Sequence, residues 1–440
     1  MPVTKISTDS ILAKLKIKSL NEMQESSIAA INEHNNVLLL SATGTGKTLA
    51  YLLPLIKLLG PANNKTQAII IVPSRELALQ IESVFKSMGS DLKVTCCYGG
   101  HLRETEENNL KQPPALLVGT PGRLADHIRR GNITTDSIET LVLDEFDKSL
   151  ELGFQDEMSF IIGSLKSINK RILTSATEAL EIPDFIGMKD TVKLDFLQDK
   201  SEETGLTIKT LLSDGKDKLE TLFRLICMLG NRSTIIFCNH RESVERTSNW
   251  LKEKDILNVF YHGAMEQQER DVALCKFRNG TANVLVTTDL ASRGLDIANI
   301  RYIIHYHLPG SEDIFTHRNG RTARMDASGT AIIILSPEES LPAYITATEK
   351  IELPETFTLP DKPQWSTLFI AAGKKDKVNK IDIVGFLSNK GELKKEDIGL
   401  IEVKDFFSFV AVKKIKVSHT LQLIKEQKIK NKKIKIAVAK

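Results

Sequence analysis

Short apolar runs recur along the chain, separated by longer stretches in which apolar residues return every three or four positions. Residues 37–40, 68–72, 115–118, 140–143 and 171–173 form such runs and end at turn-forming residues. Runs without in–out alternation are expected of strands buried on both faces, so these predict a parallel sheet with helices between its strands. The pattern restarts after about residue 205, with runs at 234–237, 283–286, 302–304 and 330–335. Two similar α/β units in tandem follow, and the polar stretch LQDKSEETG at 197–205 is the natural hinge. A second boundary is expected at 353–363, where Pro354, Pro360 and Pro363 cluster. Beyond it, residues 367–371, 380–387, 399–403, 408–412, 418–427 and 433–438 read strand, helix, strand, strand, helix, strand, the order of a small split β-α-β sandwich. The expected domains are 1–200, 205–348 and 362–440.

Composition narrows the class. A hydrophobic fraction of 41% and a charged fraction of 26% are those of a soluble globular protein, and no apolar run reaches membrane-spanning length. The polar start, residues 1–10, lacks the apolar core of a signal peptide, so a cytoplasmic location is expected. Cys96, Cys97, Cys227, Cys238 and Cys275 form no C-x-x-C pair and no zinc-spaced cluster with histidine; they read as reduced, mostly buried thiols. Charge is unevenly placed. Residues 361–440 hold 19 Lys, no Arg and 9 acidic residues, a net +10, against −7 on the rest of the chain. A basic block on an acidic body suits a polyanion; a solvated lysine surface is the alternative.

The strongest local signal is Leu40-Ser41-Ala42-Thr43-Gly44-Thr45-Gly46-Lys47-Thr48, which follows a predicted strand and opens a predicted helix. That is the context of a phosphate-binding loop. Gly44 and Gly46 let backbone N–H groups curl around phosphate oxygens, Lys47 can reach the β- and γ-phosphates, and the Thr48 hydroxyl can ligate Mg²⁺. Ser41 stands where the strict pattern has glycine. A partner carboxylate is expected at another strand end, and Leu143-Asp144-Glu145-Phe146-Asp147 supplies it. Asp144 is the candidate Mg²⁺ ligand, and Glu145 the group that orients or deprotonates the attacking water.

Here the sequence resembles the DEAD-box helicase family. Its box reads Asp144-Glu145-Phe146-Asp147, with Phe146 in place of alanine. Met23-Gln24 resembles the Q motif, which implies that Gln24 reads the adenine edge; the upstream aromatic that usually stacks on the adenine is not evident, with Ile6 or Ile17 nearby. Pro73-Ser74-Arg75-Glu76-Leu77-Ala78, Gly99-Gly100 and Thr120-Pro121-Gly122-Arg123 resemble the RNA-contacting motifs of the first unit. Ser175-Ala176-Thr177 resembles the S-A-T motif that links hydrolysis to strand separation through Asp147. In the second unit Phe237-Cys238-Asn239, Gln267 to Arg270, Thr288-Asp289 and Arg293-Gly294-Leu295-Asp296 match in order, and His317-Arg318-Asn319-Gly320-Arg321-Thr322-Ala323-Arg324 resembles H-R-x-G-R-T-G-R. The resemblance covers roughly residues 10–345.

It implies two tandem RecA-like parallel-sheet domains, an α/β fold, that use ATP and Mg²⁺. Arg321 and Arg324 are the implied γ-phosphate fingers, Asp296 a ribose contact, and His317, with Asp147, Ser175 and Thr177, a coupling residue. Arg75, Gly100, Thr120, Arg123, Arg270, Thr288 and Gly294 are the implied RNA contacts. Residues 366–440 resemble the RNA-recognition domain of the DbpA group, a small α+β RRM-like domain, through Gly373-Lys374-Lys375-Asp376-Lys377, Asp397-Ile398-Gly399 and the strand Phe406-Phe407-Ser408-Phe409. Phe407 and Phe409 share one face and could stack on bases or be core; Lys374, Lys375, Lys377, Lys413, Lys414 and Lys416 could hold phosphates. The group implies a structured hairpin of large-subunit ribosomal RNA, a pre-50S-type particle and a monomeric protein as the setting. An ATP-gated RNA clamp or annealing chaperone, a DNA helicase of the same tandem fold, and a general RNA helicase of messenger decay or cold adaptation remain alternatives.

Overall fold

The computed structural model describes residues 7–439 apart from 43, 61–63, 101–102, 178–180, 198–205, 290–299, 321, 323–328 and 431. The chain forms two compact units that divide near residue 204.

The first unit is a sheet with helices on both faces. Its strands are β1 (Asn36–Ser41), β2 (Ala68–Ile71), β3 (Val94–Cys97), β4 (Leu116–Gly119), β5 (Thr140–Leu143), β6 (Lys170–Ser175) and β7 (Val192–Phe196). They are parallel and lie in the order β3-β4-β2-β5-β6-β1-β7. Consecutive residues point to opposite layers. Ile70, Val118, Val142 and Ile172 join one core with Tyr51 and Phe85, while Ile69, Ile71, Leu117, Leu141 and Leu173 join the other with Met158 and Ile161. Both sets are buried, which explains the unbroken apolar runs. Five of these strands match the predicted runs. Edge strands β3 and β7 do not: VTCC and VKLDF are short and carry polar positions, as strands with one open side can.

The second unit opens with another parallel sheet: β8 (Leu206–Leu212), β9 (Thr234–Phe237), β10 (Asn258–Tyr261), β11 (Val284–Thr287), β12 (Tyr302–His305), β13 (Gly329–Leu335) and β14 (Glu349–Lys350), ordered β10-β11-β9-β12-β13-β8-β14. The proline-rich stretch that follows is strapped onto this body. The Phe357 ring meets Phe223 edge-on at 5.3 Å, Arg224 donates to the Pro354 carbonyl at 2.9 Å, and Lys362 pairs with Asp255 at 2.8 Å.

The chain ends in an antiparallel sheet of β15 (Trp365–Ile370), β16 (Ile398–Val403), β17 (Ser408–Lys413) and the strand Ile436–Val438, ordered β16-β17-β15-(436–438). Helices Lys380–Lys390 and Lys414–Ile424 cover one face, packing Ile383, Leu387, Val417 and Ile424 on Leu368, Ile370, Val410 and Val412. The opposite face lies on helix Gln267–Arg278 of the second parallel-sheet body. There Phe409 packs with Cys275, Ala439, Val272, Phe369 and Phe407. Asn279 donates to Thr367 Oγ1 at 3.2 Å, and Arg278 pairs with Glu402 at 3.2 Å.

Candidate nucleotide site and RNA-facing surfaces

Strands β1, β6 and β5 are neighbours, so their carboxyl ends bring together segments far apart in sequence. The loop after β1 turns through Gly44 (φ 88°) and Gly46 (φ 95°), a left-handed backbone that favours glycine. A Cβ at Gly46 would come within 2.4 Å of Gln24 Nε2, so a side chain there would displace the glutamine amide. Gln24 Nε2 donates to the Gly46 carbonyl at 3.4 Å, and Asn21 Nδ2 to the Thr45 carbonyl at 3.1 Å. Asn21 and Gln24 also cap their own helix reciprocally. Ser41, in the place of the expected glycine, is buried, and its hydroxyl lies 2.8 Å from that of Thr45, which donates to the Ala42 carbonyl at 2.9 Å. Lys47 opens helix Lys47–Leu58, where Thr48 follows it, and its ammonium donates to the Ser41 carbonyl at 2.5 Å. Thr43 lies outside the described residues, as does Ile6; Ile17 packs against the core.

The acids follow β5. Asp144 is buried; its Oδ2 accepts from the Tyr51 hydroxyl at 2.7 Å, and its Oδ1 from Thr174 Oγ1 at 2.5 Å and the Glu145 N–H at 3.0 Å. Burial, then the Asp144 carboxylate, holds the Tyr51 phenol well above its usual range, so it stays a donor. A carboxylate offers about four lone-pair sites, so these three donors orient Asp144 and leave capacity for a cation. The pairing of Thr48 and Asp144 with Mg²⁺ therefore fits this donor set. Glu145 is a buried non-glycine residue at φ 48°, a conformation that costs energy and recurs at functional sites. Phe146, in the place of alanine, is buried in the core with Leu143, Leu173 and Ile186. Asp147 accepts from the Ala176 N–H at 3.3 Å through Oδ2; its Oδ1 is buried with no hydrogen-bond partner among the described residues. Ser175 donates to the Thr177 carbonyl at 2.8 Å and accepts from the Thr177 N–H at 3.0 Å.

The RNA-motif residues of this unit sit at the same carboxyl ends. Arg75 opens its helix, with its guanidinium 4.6 Å from the centre of the Tyr98 ring and its Nε and Nη1 without hydrogen-bond partners among the described residues. Gly100 is exposed at φ 91°, Thr120 stands at the N-cap position of helix Pro121–Arg129 without a side-chain capping bond, and Arg123 pairs with Glu106 at 2.8 Å.

In the second unit Arg270 and Thr288 are half-buried and His317 is buried. Gly294, Asp296, Arg321 and Arg324 lie outside the described residues. Arg318, to which the sequence assigned no task, is the centre of a closed knot. Its Nε and Nη2 donate to Asp289 at 2.5 and 3.2 Å, Nη1 to the His307 carbonyl at 2.9 Å, and Nη2 to Asn239 Oδ1 at 2.8 Å.

The C-terminal domain answers the question about its aromatic strand. Phe409 has 0% exposure and Phe407 is half-buried against helix Gln267–Arg278, so Phe409 is core and offers no open stacking face. The exposed ring is the neighbouring Phe406, at 60%. It sits in the loop stitched to the lysine segment: Lys374 N–H donates to the Lys404 carbonyl at 2.9 Å and Lys375 N–H to that of Asp405 at 2.8 Å. Lys374, Lys375, Lys377, Lys414 and Lys416 are exposed, whereas Lys413 is partly engaged with Asp397 at 3.4 Å.

Comparison with known proteins finds matches along three parts of the chain. The DEAD/DEAH box helicase family matches residues 21–184, the helicase conserved C-terminal domain residues 217–326, and the DbpA RNA binding domain residues 367–438. The ATP-dependent RNA helicase DbpA of Escherichia coli is 30% identical over 458 aligned positions, spanning 100% of both chains. The chain belongs to the DEAD-box ATP-dependent RNA helicases. The Bacillus subtilis protein of the same name is also 30% identical, over 94% of each chain. Among solved structures, S. cerevisiae Dbp5 bound to RNA and ADP BeF3 is 26% identical, with a TM-score of 0.67 over 76% of this chain and 88% of that one. As a member of this family, the helicase hydrolyses ATP in a manner dependent on RNA, and it carries its RNA-binding domain at the C-terminal end.

Three features of the helicase escaped the sequence reading. Tyr51 and Thr174 orient Asp144 only because their elements border β5, and neither lies in a motif. Asn21 precedes the Q-motif glutamine and shares its grip on the phosphate loop. Four of the five cysteines are buried and Cys96 is half-buried, in keeping with their reading as thiols; burial pushes that of Cys238 up to about 12. Among the described residues no helix is long and apolar enough to cross a membrane.

Proposed function

We propose that this helicase uses the energy of ATP at the carboxyl end of its first sheet to loosen short RNA duplexes, and that its C-terminal domain directs it to structured ribosomal RNA during large-subunit assembly. Gln24 and the loop from Ser41 to Thr48 hold the nucleotide, and Thr48 and Asp144 hold Mg²⁺, which when bound neutralises phosphate charge. Glu145 takes the proton of the attacking water, and Lys47, Arg321 and Arg324 offset charge on the terminal phosphoryl group. Asp147, with its one unoccupied buried oxygen next to the Ser175–Thr177 turn, and His317 relay the nucleotide state to the RNA contacts. Backbone, hydroxyl and guanidinium groups at Arg75, Gly100, Thr120, Arg123, Arg270, Thr288 and Gly294 suit phosphate contacts, which carry no base sequence. Selectivity is therefore assigned to the C-terminal domain. Its exposed Lys374, Lys375 and Lys377, stitched to the loop that presents Phe406, are the observation that carries this reading. The protein is proposed to act in the cytoplasm as a monomer.

The test is ATPase stimulation by fragments of large-subunit ribosomal RNA against bulk RNA. It is run on the full chain and on a Lys374→Ala/Lys375→Ala/Lys377→Ala variant, because truncation would lay bare the face that covers Phe409. The reading expects one fragment to stimulate at far lower concentration than bulk RNA, and the triple variant to lose that preference. Equal stimulation by every RNA would leave a general RNA helicase.

A further inference from the structure

Two RNA-motif segments of the first unit meet at one buried carboxylate that no motif contains, and a third reaches them through the Tyr98 ring. Glu106 lies on helix Arg103–Leu110 and is 1% exposed, although its helix, RETEENNL, is polar almost throughout. Its Oε1 accepts from the Tyr98 N–H at 2.7 Å, which fixes the residue before Gly99-Gly100. Its Oε2 accepts from Arg123 Nη1 at 2.8 Å and lies 2.7 Å from His127 Nε2. The Asn132 amide nitrogen sits 3.0 Å from His127 Nδ1. An amide nitrogen only donates, so Nδ1 accepts and Nε2 carries the proton that His127 gives to Glu106. The Tyr98 ring in turn lies under the Arg75 guanidinium, 4.6 Å away.

A carboxylate this deep is costly to bury unless it is paired and hydrogen-bonded, and stability alone would be served as well by an apolar residue of similar size. What the apolar residue could not do is hold a guanidinium and a backbone N–H in fixed relation. Cys97 brings a third potential ligand atom, within 4.8 Å of those of Glu106 and His127. A metal centre is nonetheless opposed by the Arg123 cation in contact with the same carboxylate.

We propose that Glu106 is a positioning residue for RNA binding: it locks the Arg123 guanidinium and the Tyr98–Gly100 turn into the geometry that receives the strand, and His127 keeps it aimed. The inference rests on the reading of Arg123 as an RNA contact. Glu106 engages Arg123 through one nitrogen, and the planar fork keeps its remaining edges for phosphate oxygens.

The experiment measures binding of fluorescein-labelled decauridylate by the full chain with a non-hydrolysable ATP analogue, for wild type, Glu106→Gln, Arg123→Ala and the double variant. Glu106→Gln is expected to weaken binding about tenfold, ~1.4 kcal/mol. Because part of the Glu106 effect passes through Arg123, the double variant should lose clearly less than the sum of the two single losses, whereas mere loss of structure would add in full. His127→Gln, which keeps an N–H for Glu106, should bind like wild type while His127→Leu weakens; this pair serves if Glu106→Gln fails to fold. Wild-type affinity in Glu106→Gln, or additive losses in the double variant, would overturn the proposal. Should Arg123→Ala itself bind like wild type, the RNA reading of Arg123 falls and the proposal with it; a weak Arg123→Ala beside an unaffected Glu106→Gln removes only the proposal. Cys97→Ser should bind normally, and a loss there that added Zn²⁺ repairs would make the trio a metal centre instead.

Discussion

The two parallel sheets share an architecture, but two polar clusters beyond their strands differ in how fully they are hydrogen-bonded. In the first, the polar groups beyond the strands are oriented but not saturated. Asp144 is aimed by three donors and keeps capacity for a cation, Asp147 retains a buried oxygen with no hydrogen-bond partner among the described residues, and Arg75 retains two such nitrogens. In the second, Arg318 has 0% exposure and spends its donors on Asp289, the His307 carbonyl and Asn239. Both clusters come from family motifs, yet one keeps hydrogen-bonding capacity to spare and the other ties three loops together. The lesson is that a motif match identifies a place in the fold, and the hydrogen-bond accounting around it separates a working group from a structural one.

The contrast predicts which variants lose activity and which lose stability. Lys47→Ala should lower RNA-stimulated ATPase by about 10²–10³-fold, as removal of a preorganised charge donor does, with little change in melting. Steady-state phosphate release beside a calorimetric scan checks both halves. Arg318→Ala should do the reverse. It takes the buried guanidinium out of its bonds to Asp289, Asn239 and the His307 carbonyl and empties a fully buried site, so the second unit should lose about 3 kcal/mol and its transition should fall by roughly 6–12 °C. An unshifted transition would mean that the knot is ornamental. Tyr51→Phe removes one of the three donors to Asp144 and should raise the Mg²⁺ concentration needed for half-maximal ATPase about fivefold, ~1 kcal/mol. No change would leave Thr174 and the backbone sufficient to orient the acid.

One effect is absent at neutral pH and grows only in acid. Burial and then the nearby Arg318 push the His305 imidazole from 6.5 down to about 3. The unfolded chain therefore binds the extra proton between those values. Stability contributed by the neutral ring is complete above about pH 6.5 and drains away as pH falls toward 3. Urea titrations of His305→Phe should show a shallower loss over that window than wild type, provided the variant folds.

Much of this was legible in the sequence for a physical reason. The buried strands of a parallel sheet are apolar on both faces, and a phosphate loop is one contiguous segment, so Ala68–Ile71 and Gly44–Thr48 announce themselves locally. Edge strands such as Val192–Phe196 do not, because a half-open strand carries Lys193 and Asp195 on one side. Phe407 and Phe409 were ambiguous on principle: alternating rings look alike whether they face solvent or a helix, and helix Gln267–Arg278 decides the matter from well over a hundred residues away. Glu106 was invisible because a buried acid within a polar helix has no sequence signature. Tyr51 and Thr174 were missed because sheet order, not spacing, brings them to Asp144.

The most direct test of the central claim is single-turnover phosphate release by Glu145→Gln with saturating ATP, Mg²⁺ and RNA. The account predicts that this variant binds nucleotide and RNA yet releases phosphate at least about 10²-fold more slowly than wild type. Release at the wild-type rate would remove Glu145 from the chemistry and contradict the assignment of this strand end as the catalytic centre.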